Sequence, residues 1–377
     1  MRIALVHDYL REYGGAERVV EALHEIFPQA PVYTAYFRPE GLGPHAQRLE
    51  EWDIRTSWLQ KLPFANKLIS PLRIFAPKIF ESFDLSDYDL VISSSAIYFA
   101  KAVKVGPKTL HLAYIHTPPR YLYGYTTSYN YKKNLLIKIF GEIANHFLRL
   151  ADFETSQRPN ILIANSKNVA ARIKKFYRRD SVVIYPPVEV EKYQVSSIKY
   201  QGKEKKYYLS LGRLVRGKGT EIIVRACTQL EVPLKVVGTG PQLQELQKIA
   251  GKNVEFLGQV KDEDLPQLLA GAKATIVASE DEDFGIVPVE SMAAGTPVIA
   301  PRAGGFLETV IPGKTGEFFP SAGSGQVQVT AEALVKVLKD FSPEKYDPKD
   351  CIGQAEKFSK ERFKQEILEL VEKNLPS

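Results

Sequence analysis

Glu282 and Glu290, with seven residues between them, stand either side of a Phe284-Gly285 pair and Pro288. The apolar run Ala274–Ala278 before them predicts a buried strand, and Glu290–Ala294 after them predicts a helix with Pro288 in its first turn. A loop that leaves a strand and opens a helix aims several unpaired N–H groups at one spot, where phosphate or another anionic oxygen is favoured. Two carboxylates beside that spot would repel a bare phosphate, so their natural partners are hydroxyl groups. The combination predicts a ligand carrying both phosphate and sugar.

A second loop has matching chemistry. Gly212-Arg213-Leu214-Val215-Arg216-Gly217-Lys218-Gly219 follows the apolar stretch Tyr208–Leu211 and precedes a helix starting near Thr220. Arg213 offers a planar fork of donors and Lys218 a point charge, enough to neutralise a diphosphate without a metal ion. The segment nearly spells the nucleotide-binding pattern G-x-x-x-x-G-K-[ST], but Gly219 stands where that pattern needs a hydroxyl for Mg²⁺. Gly238-Thr239-Gly240-Pro241 resembles the start of a dinucleotide loop, yet Leu243 replaces its third glycine. Asp281-x-Asp283 mimics a metal-binding pair, and the same spacing recurs without support at Asp87-x-Asp89 and Asp262-x-Asp264. In the first half, Gly14-Gly15 opens a helix and lets backbone approach a ligand closely. His116 ends the strand Leu110–Ile115, at the carboxyl edge where doubly wound sheets bind ligands. Arg120 and Tyr121 follow it on the same side.

The Glu282…Glu290 pair, with Phe-Gly-Ile-Val-Pro-Val inside it, resembles the paired-Glu motif of the retaining GT-B glycosyltransferases, family 4. That resemblance implies an α/β chain of two Rossmann-like doubly wound domains facing a central cleft, with a last helix crossing back to the first domain. It implies transfer of a hexose from UDP-glucose or GDP-mannose to a hydroxyl of a lipid-linked saccharide in surface polysaccharide assembly, with retention and without cofactor or metal. Arg213 and Lys218 would hold the donor's phosphates, Glu282 the sugar hydroxyls, and His116 the transferred sugar. Gly14, Gly15, Gly238, Val260, Phe284, Gly285, Ile286, Val287 and Glu290 would line the nucleotide site, Glu290 gripping the ribose and the edge around Val260 reading the base. The competing readings are a nucleotide-sugar sensor without turnover, a P-loop NTPase, and a nicotinamide oxidoreductase.

The elements that must position these groups alternate along all 377 residues, with 44% hydrophobic and 25% charged composition, as in a globular α/β enzyme. Further strands are expected at Ile3–Val6, Leu90–Ser93, Ile161–Ala164, Leu234–Val237, Val254–Leu257 and Pro297–Ala300, and helices near Ala16, within Lys132–Asp152 and at Asn168. The expected domains are 1–188 and 207–360, joined by a linker at 189–206, with 361–377 a helix returning to the first. Cys227 and Cys351 are isolated, which fits neither a disulfide framework nor a zinc site and accords with a reducing compartment. Charge enters too early for a secretory signal and no apolar run is long enough to span a bilayer, so a cytoplasmic place is expected. The net charge of +6 is concentrated in part at 55–80, where Arg55, Lys61, Lys67, Arg73 and Lys78 alternate with Trp58, Phe64, Ile74 and Phe75 and no acid intervenes. Such a mixture can lie on the anionic inner face of the plasma membrane. No nucleic-acid motif accompanies it.

Overall fold

The computed structural model describes residues 1–126, 135–200, 204–320 and 329–375. Lys132–Asn134 of the expected helix and residues 201–203 of the expected linker lie outside them. The chain forms two compact units, one from most of Met1–Pro187 with the stretch beginning at Glu361, the other from Val188–Lys360 with Thr126.

The main sheet of the first unit is built from β1 (Ile3–His7), β2 (Val32–Thr34), β3 (Ile54–Thr56), β4 (Leu90–Ser95), β5 (Leu110–Ile115), β6 (Ile161–Ala164) and β7 (Val182–Val183). They pair in parallel in the order β3-β2-β1-β4-β5-β6-β7. Every residue of β4 and β5 is buried, as expected for parallel strands covered on both faces. Helix α1 (Gly15–Ile26) follows β1 and begins where Gly14 N–H donates to Glu17 Oε2 at 2.9 Å. That bond satisfies one of the donors every helix start leaves open. Helices α2 (Leu135–Ser156) and α3 (Lys167–Tyr177) flank β6 in the chain, α3 being capped by Ser166, whose Oγ accepts from Val169 N–H.

The second unit holds β8 (Tyr207–Leu211), β9 (Leu234–Val237), β10 (Val254–Gly258), β11 (Ala272–Ile276), β12 (Val298–Pro301) and β13 (Gly316–Phe319). Their parallel order is β10-β9-β8-β11-β12-β13. The expected strand Ala274–Ala278 begins and ends two residues earlier, though Val277 N–H still donates to Ile299 O beyond its end.

The stretch expected to be a linker is instead largely helix. α4 (Val190–Tyr200) belongs to the second unit, and Val188, Val190 and Tyr193 are buried there. The polar residues between them masked the apolar spacing. Helices α5 (Thr220–Gln229) and α6 (Ile286–Ala293) follow β8 and β11. The last helix, α7 (Lys360–Asn374), places Phe363, Ile367 and Val371 in the first unit's core, among Leu5, Leu23 and Leu112. Burying side chains of this size contributes about 1.5–3 kcal/mol each. No helix among the described residues is long and apolar enough to cross a membrane.

Candidate active site

Three loops at the carboxyl ends of β8, β9 and β11 pack against one another in the second unit. Gly238 adopts φ +129°, and a Cβ there would lie 1.9 Å from Gly212 O. Gly219, at φ +69°, would put a Cβ 2.1 Å from Ala278 O. Neither position has room for a side chain. The second contact explains why Gly219 is not the hydroxyl residue of a P-loop: the site that would need Ser or Thr is closed by backbone.

This packing brings the phosphate-loop cation to the acidic loop. Lys218 Nζ donates to Glu282 Oε2 at 2.9 Å, the lysine about one third exposed and the glutamate mostly buried. Glu282 is itself held by its backbone, since its carbonyl accepts from Gly305 N–H at 3.0 Å. The other members of the acidic cluster have different work: Asp281 accepts from Thr126 N–H and Glu280 from Thr126 Oγ. Among the described residues no three His, Cys, Asp or Glu side chains converge to hold a metal.

Gly285 caps α6 at φ +94°, so Ile286 and Val287 supply first-turn N–H groups at the end of the acidic loop. Phe284 serves that loop by its backbone alone, because its ring is buried edge-on against Phe358 at 5.3 Å. Glu290 is inside α6 and 2% exposed. Its Oε1 accepts from Tyr193 Oη at 2.8 Å. Tyr193, the partner of this candidate site residue, is one the sequence reading passed over, and the signal for it was the Val190–Tyr193 spacing on one helical face. Val260 lies in a recess of about 520 Å³ with Tyr207, Lys235, Gln259 and Lys261. That recess includes neither Arg213 nor Lys218 nor Glu282.

The first unit has its own polar cluster, again at carboxyl ends of neighbouring strands. His7 ends β1, Ser94 lies opposite it in β4, and His116 follows β5. Ser94 Oγ is 3.1 Å from His7 Nδ1 and 2.8 Å from His116 Nε2. Burial, reinforced by His7, pushes the His116 imidazole down to about 3, so it is neutral at physiological pH. Gly14 and Gly15 begin α1, but the Gly14 N–H is engaged by Glu17 rather than pointing outward. Beside His7, Asp8 is buried and accepts from the N–H groups of Ala96, Ile97, Tyr98 and Ala100 at 2.6–2.8 Å, pinning the loop after β4. The Tyr121 hydroxyl is buried and meets no hydrogen-bond partner among the described residues, with the Arg73 guanidinium over its ring at 4.5 Å.

Both halves match known families. Residues 13–192 match the model described as Glycosyltransferase Family 4, and residues 195–358 that of Glycosyl transferases group 1. The chain belongs to the family 4 glycosyltransferases of GT-B type. It is 26% identical to the sulfoquinovosyl transferase SQD2 of Arabidopsis thaliana over 94% of this chain and 65% of that protein. It is 39% identical to a GDP-mannose-dependent alpha-(1-6)-phosphatidylinositol monomannoside mannosyltransferase of Mycolicibacterium smegmatis, over 28% of this chain and 32% of that one. Each match spans less than two thirds of the relative's own length. In fold, the chain is similar to Anabaena HepE in complex with UDP-glucose, with TM-score 0.69 and 20% identity over 99% of this chain and 100% of the other. The two parallel-sheet Rossmann-like units are those of a GT-B enzyme.

Proposed function

We propose that this glycosyltransferase moves a hexose from a nucleoside diphosphate sugar to an acceptor hydroxyl with retention of configuration and no metal. The observation that carries the reading is the Lys218–Glu282 pair at the mouth of α6, a cation, a carboxylate and helix-end N–H groups assembled by three interlocked loops. Cleavage of the anomeric C–O bond leaves negative charge on the diphosphate, which Arg213, Lys218 and the N–H groups of Ile286 and Val287 stabilise. Glu282 orients sugar hydroxyls, Glu290 holds the ribose, and His116 meets a hydroxyl of the transferred sugar. The acceptor oxygen bonds to the anomeric carbon on the face the diphosphate leaves, and the acceptor proton passes to a diphosphate oxygen.

UDP-glucose and GDP-mannose are the two donors proposed. The relatives support both, one being named for GDP-mannose and HepE being bound to UDP-glucose. A lipid-linked saccharide acceptor in surface polysaccharide assembly is supported by a relative named for a phosphatidylinositol mannoside, and by the surface at 55–80. There Leu59, Ala65, Ile69, Ile79 and Phe80 are buried, while Trp58, Phe64, Ile74 and Phe75 stand exposed among Lys61, Lys67, Arg73 and Lys78. That surface rests the protein on an anionic membrane at its inner face. Thermal-shift titration with a panel of nucleotide sugars in EDTA tests the donor reading: one donor should raise the melting temperature without metal. Absence of stabilisation by every donor, or its dependence on a divalent ion, would overturn it. Co-sedimentation with anionic vesicles, lost on Phe64→Ser with Phe75→Ser, tests the membrane contact.

A further inference from the structure

The polar cluster of the first unit continues past His116 in a single file. Glu17 Oε2 accepts from Gly14 N–H at 2.9 Å, and Glu17 Oε1 lies 3.5 Å from His7 Nε2. His7 Nδ1 faces Ser94 Oγ, and Ser94 Oγ faces His116 Nε2. The four side chains are at most 9% exposed, so water does not randomise their protons. Each link has rules. An ionised carboxylate only accepts, a hydroxyl has one proton, and a neutral imidazole has one donor and one acceptor nitrogen.

With Glu17 as the carboxylate and both imidazoles neutral, those rules leave one order. Glu17 accepts, so the nitrogen of His7 facing it, Nε2, carries the hydrogen. His7 Nδ1 is then an acceptor and takes the Ser94 hydroxyl proton. The Ser94 oxygen in turn accepts from His116 Nε2. His116 is held neutral by burial, so its single proton sits on Nε2. The opposite order would aim a bare His7 nitrogen at the carboxylate.

We propose that Glu17, His7 and Ser94 are positioning residues, a proton-ordered relay that fixes His116 as its Nε2–H tautomer and leaves the Nδ1 lone pair to accept a hydrogen bond from a sugar hydroxyl. The relay deepens the reading of His116 given above and rests on it for its purpose, while its proton order follows from the hydrogen-bond geometry with Glu17 as a carboxylate and both imidazoles neutral. It also gives Glu17 two tasks on two oxygens: one starts α1 at the Gly14-Gly15 turn, the other sets the polarity of a chain that ends at His116. His111 shows the contrast, for its Nε2 is bonded to Ser93 Oγ while its buried Nδ1 meets no partner among the described residues.

The decisive variant is Glu17→Gln. Its carbonyl oxygen can still accept from Gly14 N–H, while its NH₂ turns a donor toward His7 and inverts every link. Nitrogen-15 spectra of the imidazoles at neutral pH should show His116 protonated on Nε2 in the wild type and on Nδ1 in the variant. With the donor that the thermal-shift panel identifies, kcat should fall at least about tenfold and donor Kd should move less than about twofold. Ser94→Ala breaks the file and should leave His116 a mixture of tautomers, and Ser94→Thr should restore the single form. A wild-type His116 protonated on Nδ1, or a tautomer indifferent to both Glu17→Gln and Ser94→Ala, overturns the proposal. Failure of every donor to turn over, with the tautomer as stated, would sink the glycosyl-transfer reading and leave the relay standing.

Discussion

Lys218 Nζ and Glu282 Oε2 are 2.9 Å apart although 63 residues separate them in the chain, and the glycine contacts between their loops fix that distance. The cation is thus held by a carboxylate before any diphosphate arrives. In the proposed mechanism the two groups have separate assignments, which makes them separable by mutation.

On the proposed mechanism, replacing Lys218 with Met removes a charge-assisted contact to the diphosphate, worth about 1.5–3 kcal/mol. Donor affinity measured by calorimetry should fall about 10- to 150-fold. Glu282→Ala should instead lower kcat by about 10²-fold or more while the free nucleoside diphosphate binds nearly as before. Equal losses of nucleotide affinity in both variants would contradict the division of roles.

Gly238→Ala should cripple the second unit rather than its chemistry. The new methyl would sit 1.9 Å from Gly212 O at a backbone angle that side chains avoid. Left-handed strain alone costs about 1–3 kcal/mol, and the clash adds to it. A melting temperature lower by at least about 4 °C is expected by calorimetry. Gly258→Ala, also at positive φ but with open space around it, should lower it less.

Acid should destabilise the first unit through two imidazoles. Burial pushes His111 and His116 down to about 3, with Arg179 and Arg158 adding to the effect on His111 and His7 on His116. In the unfolded chain both titrate near 6.5. Above that pH both states are neutral and nothing is lost. Between about 6.5 and 3 the unfolded chain takes up protons the folded one refuses, so stability falls by up to about 1.4 kcal/mol per pH unit for each. Urea midpoints followed from pH 7 to 5 should decline, and less steeply in His111→Asn.

Lys101 and Asp152 form an ion pair at 2.5 Å with both side chains buried, and Tyr123 Oη donates to the same carboxylate at 2.7 Å. Lys101→Met leaves that charge unbalanced and should cost about 3–5 kcal/mol of unfolding free energy, read from urea denaturation. Pairing it with Asp152→Leu should recover much of the loss. If the double variant is no better than the single one, the pair does more than balance charge.

Local signals made much of the fold legible. Leu110–Ile115, Ile161–Ala164 and Leu234–Val237, apolar but for His111 and Lys235, are strands with those bounds. β2, β3, β7 and β13 were missed because two to four residues carry no periodicity. Of the candidate site, the sequence pointed to Glu282, Glu290, Arg213, Lys218 and His116, whose types are unusual for their places and of which Lys218 and Glu282 are paired. It hid Tyr193, Ser94, His7 and Glu17, whose meaning comes only from strand register and helix facing. A serine in a buried strand reads as filler until its neighbours across the sheet are known.

The return of α7 to the first unit has a consequence for biosynthesis. Phe363, Ile367 and Val371 belong to the core around Leu5 and Leu23, yet they are translated after the entire second unit. A nascent chain therefore carries the earlier-made core unsealed while the later-made one closes. Released chains truncated after Lys360 should be cut readily by protease in their first half and resist it in their second. The order of synthesis and the order of completion are opposite, and chaperone demand should peak in that interval.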